Sequence, residues 1–401
     1  MPFVDSQEIL KNHSDYSAAI EILQILKKQG YETYFAGGCV RDLLLGRIPH
    51  DVDIATKAPP EMVEKLFQKT ISVGKVFGVI RVLDFGADIE VASFRKDGLY
   101  VDGRRPQEII FSTPEEDAHR RDFTMNALFF DPLSGQVIDF VGGVSDIQNR
   151  HIRAVGNAKA RFQEDHLRIL RGIRFLAEID FEIEPETFQA IRESVPLIKT
   201  VSWERIGQEL TRILMAPHRQ KALELMKDLG FFDQLFSGLE CRTILQGNSI
   251  EEAWLELFFL NFSSGKLSTK DFQLLMDRWK FSGELKKYML EAMRFMQDWG
   301  SFQGFSRAEK FLALKSKGAR AALSVFASID VEAQQIFLQL KQDPYWESLP
   351  SPWFSGEDLK VYAQGSGLGE LLKQVYLRQL DGNFNSKEQA LDWVRKRSFG
   401  E

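Results

Sequence analysis

Two short clusters near the N-terminus carry residue types suited to a nucleoside triphosphate. Gly37-Gly38-Cys39-Val40-Arg41-Asp42 joins an arginine to two glycines, which let backbone approach a phosphate chain closely. Further on, Asp51-Val52-Asp53 sets two carboxylates at alternate positions, and on a strand alternation turns both to one face. Two hard oxygen ligands side by side suit a Mg2+ ion that carries a triphosphate, so the combination points to nucleotidyl transfer. Each half alone also has an ordinary reading, Gly-Gly as a turn and Asp-x-Asp as a solvated strand edge. The chain lacks a G-x-x-x-x-G-K-[ST] run and a G-x-G-x-x-G after a strand, which argues against a P-loop or dinucleotide site.

Later clusters fit the same chemistry. In Arg120-Arg121-Asp122-Phe123-Thr124-Met125-Asn126-Ala127, guanidinium forks suit triphosphate oxygens and a carboxylate can accept bonds from ribose hydroxyls; a charged first helical turn is the plainer alternative. Glu164-Asp165-His166-Leu167-Arg168 is expected to open a long helix continued by Arg171 and Arg174, with Asp165, Arg168 and Arg171 on one side. A carboxylate beside a guanidinium matches the Watson–Crick edge of a base, a useful property where no template strand reads it; the pair is also a common surface salt bridge. From Arg150 to Phe175, Arg150, Arg153, Lys159, Arg161, Arg168, Arg171 and Arg174 face only Glu164 and Asp165, which reads either as a polyanion site or as a solvated helix face. Glu204-Arg205-Ile206-Gly207-Gln208-Glu209-Leu210 reads as a helix whose charges brace its neighbours. Glu90 is a candidate third carboxylate on an adjacent strand, or a partner for Arg95. Asp139-Phe140-Val141-Gly142-Gly143 reads as a structural turn.

The elements that must hold these groups follow from periodicity. The spacing predicts a helix over 6–29 ended by Gly30, a strand at 34–36, a helix beginning over 41–45 and a strand at 51–55. A helix follows Pro59-Pro60, and a hairpin spans 79–83 and 88–94. Residues 97–107 form a polar glycine-bearing loop. From about 157 helical periods dominate, and prolines interrupt them near 217 and over 344–352. The expectation is an α+β head over 1–150 and an all-α remainder divided into 151–215, 216–335 and 336–401.

Bulk properties agree. A chain of 401 residues, 44% apolar, can build several packed domains. Its two cysteines, Cys39 and Cys241, offer no metal spacing, and with no secretory signal and no long apolar run the expected location is the cytoplasm. The net charge of −6 argues mildly against a nucleic-acid coat protein.

The ordered set Gly37-Gly38-x-Val40-Arg41-Asp42-x-x-x-Gly46, Asp51-x-Asp53, Arg120-Arg121-Asp122-Phe123-Thr124-x-Asn126-Ala127, Glu164-Asp165-x-x-Arg168 and Glu204-Arg205-x-x-x-Glu209-Leu210 resembles that of class II tRNA nucleotidyltransferases, the polymerase-β-type group that includes CCA-adding enzymes and bacterial poly(A) polymerases. The resemblance implies a polymerase-β-like nucleotidyltransferase head with a small mixed sheet, followed by an all-α neck, body and tail. It also implies template-independent addition of C and A from CTP and ATP to the 3′ end of tRNA. In its terms Asp51 and Asp53 ligate Mg2+, and Gly38 and Arg41 touch the triphosphate. Arg121 and Asp122 handle phosphate and ribose, Asp165 and Arg168 select the base, and Arg171 and Arg174 support them. Asp102, Arg104 and Arg105 resemble the loop linked to the switch from C to A, and Glu204, Arg205 and Glu209 brace the neck. Addition of A alone and poly(A) synthesis are alternatives on the same scaffold; a non-catalytic RNA-binding module is a more distant one.

Overall fold

The computed structural model describes residues 6–74, 78–98, 109–236 and 238–399. The chain divides into two compact units, residues 1–237 and 238–401.

The first unit opens with α1 (Ser6–Lys11) and α2 (Tyr16–Lys28), not the single helix the periodicity predicts. Between them the Asp15 N–H donates to His13 Nδ1, one of the local side-chain bonds through which short polar residues compete with helix. α2 buries Ala18, Ala19, Ile22, Leu23 and Leu26 against β1 (Thr33–Ala36) and β2 (Ile54–Thr56). Then come α3 (Gly38–Leu44), α4 (Pro60–Leu66), β3 (Thr70–Gly74), β4 (Val79–Val82), β5 (Ile89–Ser93), β6 (Arg95–Asp97), β7 (Ile109–Phe111), α5 (Pro114–Arg120), β8 (Leu128–Asp131) and β9 (Gln136–Asp139). Seven strands form one sheet in the order β3-β4-β5-β2-β1-β8-β9. It is mixed, because β2 runs parallel to β5 while the other neighbours are antiparallel. Ala36, Ala55, Phe94, Ala118, Ala127, Phe129 and Val155 form a buried cluster on it.

The predicted hairpin is present as β4 and β5. The predicted strand over 51–55 is shorter. β1 pairs Phe35 with Ile54, the Ala36 N–H still reaches the Asp53 carbonyl, and Gly37 then turns away to donate to the Leu128 carbonyl. With no partner beyond that point, Asp51 and Val52 lie outside the ladder. The helix predicted from Arg41 begins instead at Gly38. Asp139 makes the expected turn, its carboxylate accepting N–H bonds from Val141, Gly142, Gly143 and Val144.

The helical part of this unit comprises α6 (Gly143–Gln148), α7 (Ala158–Glu164), α8 (Leu167–Ile179), α9 (Pro185–Ser194), α10 (Trp203–Met215), α11 (Arg219–Asp228) and α12 (Phe231–Leu235), with a two-residue parallel pair β10 (His151–Ile152) and β11 (Glu182–Ile183). Residues 122–124 are stitched to 153–155 by the Phe123–Ala154 bridge and by backbone bonds from Thr124 to Arg153 and from Val155 to Asp122. The long helix expected to open at Glu164 begins three residues later, and a separate short helix precedes it. α7 ends at Glu164 and α8 starts at Leu167, so Asp165 sits at the joint, where its carboxylate accepts the Leu167 N–H.

The second unit is helical: α13 (Ile250–Ser263), α14 (Thr269–Arg278), α15 (Gly283–Gln297), α16 (Trp299–Gln303), α17 (Arg307–Ala313), α18 (Lys317–Ala327), α19 (Val331–Lys341), α20 (Gly356–Leu359), α21 (Ser366–Leu380) and α22 (Lys387–Phe399). Ser249, Ser268, Ser282, Ser306 and Ser316 cap α13, α14, α15, α17 and α18 by accepting backbone N–H bonds, the role short hydroxyl side chains favour. Trp254, Phe258, Phe262 and Phe272 are fully buried. α15 and α18 cross closely at Gly318, where a Cβ would lie 2.3 Å from the Tyr288 carbonyl oxygen. Phe354, Leu359, Leu371, Val375, Ala390 and Val394 form a second buried cluster. Six of the seven tryptophans belong to this unit and only Trp203 to the first.

Candidate active site

A cavity of about 900 Å³ in the first unit is lined by Gly37, Gly38, Arg41, Asp51, Asp53, Glu90, Arg121, Asp122, Asp165, Arg168, Arg171, Arg174 and Arg205. The glycine turn, the acidic pair and the arginine-bearing helix therefore meet around one space.

The turn is the floor. Gly37 has φ +78°, a conformation that favours glycine, and a Cβ there would lie 3.1 Å from Arg121 Nη1, so a side chain would also press on that guanidinium. At Gly38 a Cβ would meet only ordinary contact, 3.8 Å from Arg41; the backbone constraint belongs to the first glycine. Arg41 is buried and donates to Asn126 Oδ1 at 2.9 Å and to Asp42 at 2.9 Å. Arg121 donates to Asp117 Oδ2 at 3.0 Å and to the Asn126 carbonyl at 3.2 Å, and lies over the Phe129 ring.

One wall is acidic. Asp51 is exposed, with His50 Nδ1 2.9 Å from its carboxylate. Asp53 is half-buried, and burial, with Glu90 and Asp51 adding repulsion, pushes its pKa up to about 7 despite Arg121. Glu90 stands on β5 opposite Arg81; its pKa is raised, first by desolvation of the carboxyl, with Arg81 opposing and Asp51 and Asp88 adding to the rise. This is the charge pattern of a rim short of a cation, and its hard carboxylate oxygens fit a divalent ion. Among the described residues no three His, Cys, Asp or Glu side chains converge into a metal-holding group.

The opposite wall is basic and internally paired. Arg171 donates to Asp122 at 2.7 Å and lies 3.7 Å from Glu209. Arg174, buried, lies 3.2 Å from Glu209 and 3.6 Å from Glu178. Burial alone would raise the pKa of Asp122, yet Arg171 and Arg168 hold it at about 2. Burial is the main cause of a lowered pKa at Arg174, followed by repulsion from Arg171. The Phe175 ring lies 4.3 Å from the Arg174 guanidinium, 5.4 Å from that of Arg171 and 5.5 Å from that of Arg41, a shared aromatic surface for three like charges.

The i, i+3 salt bridge open to Asp165 and Arg168 as the plainer alternative is not formed. Because the chain breaks between α7 and α8, Arg168 turns to Glu164 Oε2 at 2.6 Å and to the Arg161 and Arg120 carbonyls. Asp165 is gripped by both terminal nitrogens of Arg205, at 2.8 and 3.2 Å. Glu209 and Arg205 thus brace this wall, whereas Glu204 is exposed. The basic tract of 150–174 is also not one patch. Arg150 pairs with Asp180, Arg153 with Asp146 and Glu184, Lys159 with Glu193 and Arg161 with Glu164, leaving Arg168, Arg171 and Arg174 as its members in the cavity. Asp102, Arg104 and Arg105 lie outside the described residues.

Sequence reasoning gave no role to Asp117, Asn126 or Phe175. Asp117 had a usable signal, since it stands three and four residues before Arg120 and Arg121 and so on their side of a helix; the meeting of Phe175 with Arg41 depends on tertiary packing.

Residues 33–153 match the family described as "Poly A polymerase head domain", and residues 180–242 match "Probable RNA and SrmB- binding site of polymerase A". The chain is 35% identical to a CCA-adding enzyme of Streptococcus suis over 397 residues, covering 94% of this chain and 96% of that one. It is 38% identical over 350 residues to one from Streptococcus pyogenes serotype M4, covering 82% and 85%. The fold is similar to the crystal structure of the Bacillus stearothermophilus CCA-adding enzyme in complex with CTP, with a TM-score of 0.79, 30% identity and coverage of 97% and 98%. It also resembles the fold of the Thermotoga maritima CCA-adding enzyme complexed with tRNA, with a TM-score of 0.69, 22% identity and coverage of 98% of both chains.

Proposed function

We propose that this chain, which belongs to the family of the CCA-adding enzymes, is a template-independent nucleotidyltransferase that adds C and A from CTP and ATP to the 3′ end of tRNA. The carrying observation is that the acidic pair Asp51/Asp53 and the base-facing groups Asp165 and Arg168 line one cavity of about 900 Å³, within the size range of small-molecule sites.

The residues divide the work. Asp51 and Asp53 would hold Mg2+, and Glu90 adds negative charge to their rim. The ion, when bound, supplies Lewis-acid stabilisation of oxyanions and orients phosphate. The Gly37 turn admits the triphosphate against backbone, with Arg41 and Arg121 on its oxygens and Asp122 placed for the ribose. Asp165 and Arg168 present acceptor and donor to the base, held by Arg205 and Glu164. The RNA 3′-hydroxyl attacks the α-phosphorus in line and gives up its proton to solvent, the bond from the α-phosphorus to the α–β bridging oxygen breaks, and pyrophosphate leaves. Positioning and fixed charge carry most of the acceleration, since no covalent enzyme intermediate is needed. A head over 1–150, a neck over 151–215, a body over 216–335 and a tail over 336–401 remain our division of the work, with the body and tail serving the tRNA. Among the described residues no helix is long and apolar enough to cross a membrane, and we place the protein in the cytoplasm.

The test is to incubate the protein with tRNAs ending before the first C, after one C and after CC, with CTP, ATP and Mg2+, and to sequence the 3′ ends. Completion of CCA on all three is expected. Extension of only the CC-ended tRNA would make it an A-adding enzyme, long A tracts would make it a poly(A) polymerase, and no extension would defeat the reading.

A further inference from the structure

Asp117 stands in α5, one step outside the cavity, with a side chain 1% exposed. Its Oδ1 accepts from Arg120 Nε at 2.9 Å, from Arg120 Nη2 at 2.6 Å and from the Arg95 backbone N–H at 3.2 Å. Its Oδ2 accepts from Arg121 Nε at 3.0 Å and lies 3.0 Å from Arg121 Nη2. One buried carboxylate thus grips two consecutive guanidinium groups and the strand that carries a third arginine, and all three arginines line the cavity. Burial would raise its pKa, but Arg121 and Arg120 overcome this and keep it below the usual carboxylate value.

The grip extends to two further groups of the cavity lining. Arg121 continues to the Asn126 carbonyl beside the Gly37 turn, where a triphosphate would lie. The Arg120 carbonyl accepts Arg168 Nη2 at 2.9 Å, and Arg168 belongs to the base-facing wall. A carboxylate with several charge-assisted bonds of good geometry fixes its partners more firmly than neutral contacts do. An arginine held on its Nε side has its remaining N–H groups aimed in one direction, which is what phosphate recognition requires.

We propose that Asp117 is a positioning residue for nucleotide binding: it orients Arg121 toward the triphosphate and, through the Arg120 main chain, steadies Arg168 on the base side. This rests on the functional reading above. Nothing in the proposal places Asp117 against substrate; it acts through the arginines.

The test uses the full chain and compares Asp117→Asn, Arg121→Lys, Arg121→Ala and the double variant Asp117→Asn/Arg121→Ala. Calorimetric Kd values for CTP and ATP are measured, together with KM and kcat on a truncated tRNA. A small misplacement of a positioning group costs binding, so Kd and KM of Asp117→Asn should rise about tenfold for both nucleotides while kcat changes less than about threefold. Arg121→Lys keeps the charge but loses the fork and should show a similar rise, an arm that stands even if Asp117→Asn folds poorly. In the Arg121→Ala background, Asp117→Asn should add less than about twofold, the non-additivity of groups acting as a unit. Unchanged Kd in folded Asp117→Asn, an unchanged Kd in Arg121→Lys, or full additivity in the double variant would overturn the proposal. Binding by the wild type without RNA extension would instead defeat the functional reading and leave the Kd comparison intact.

Discussion

Two aspartates line the same cavity at opposite ends of the carboxylate range. Asp53 is pushed up to about 7 because burial and two neighbouring carboxylates outweigh the attraction of Arg121. Asp122, more deeply placed, is held at about 2 because Arg171 and Arg168 overcome the cost of burial. The sheet-side wall therefore gathers carboxylates that repel one another, a charge an added cation would relieve, while the helical wall pairs its own charges. The former suits a ligand that arrives and leaves with each reaction. The latter suits a surface whose shape must not change between reactions.

The strongest way to break this contrast is Asp53→Ala. If the sheet-side charge is the metal-binding element, incorporation into truncated tRNA should fall at least about 10³-fold with the circular dichroism spectrum unchanged; activity within tenfold of wild type would move the metal elsewhere. Asp122 predicts a different signature. Its folded pKa is depressed, so its contribution is fully present above the ordinary value of 3.8 and is lost as pH falls toward about 2. That shift corresponds to about 2 kcal/mol. Denaturant titrations from pH 7 to pH 2 should show this acid limb in wild type and its loss in Asp122→Asn, which should be the less stable protein at neutral pH. Superimposable profiles would mean that the pair with Arg171 does not stabilise the fold. The smallest effects distinguish neighbours on α10. Arg205→Ala should loosen Asp165 and reduce discrimination against UTP about tenfold, roughly 1.4 kcal/mol, whereas Glu204→Ala should leave selectivity intact and stability within about 0.5 kcal/mol of wild type. Equal changes in the two variants would erase the division between the bracing arginine and its exposed neighbour.

How much of this was legible in sequence depends on the range of the interaction concerned. The glycine turn, the hairpin and the helical second half follow from local patterns, and so does the gathering of Asp51, Asp53, Arg121 and Arg168 once the motif order is recognised. What periodicity misplaced were ends and partners. The strand at 51–55 was over-extended because its ladder stops where Gly37 leaves β1, a fact held in another segment. Helical spacing across 164–168 sets Asp165 beside Arg168; the break between α7 and α8 hands it instead to Arg205, forty residues away in the chain. Glu204 and Glu209 are the same residue type on one helix, but five positions carry the chain well round its axis, from an exposed face to one buried between two arginines.

The uneven distribution of indole rings gives the molecule a built-in optical partition. With Trp254 and Trp279 packed in the helical second unit and Trp203 alone in the first, intrinsic emission on heating reports almost entirely on residues 238–401. Loss of CTP affinity over the same temperature ramp reports on residues 1–237, so the two traces together reveal whether the halves melt in one cooperative step or in succession.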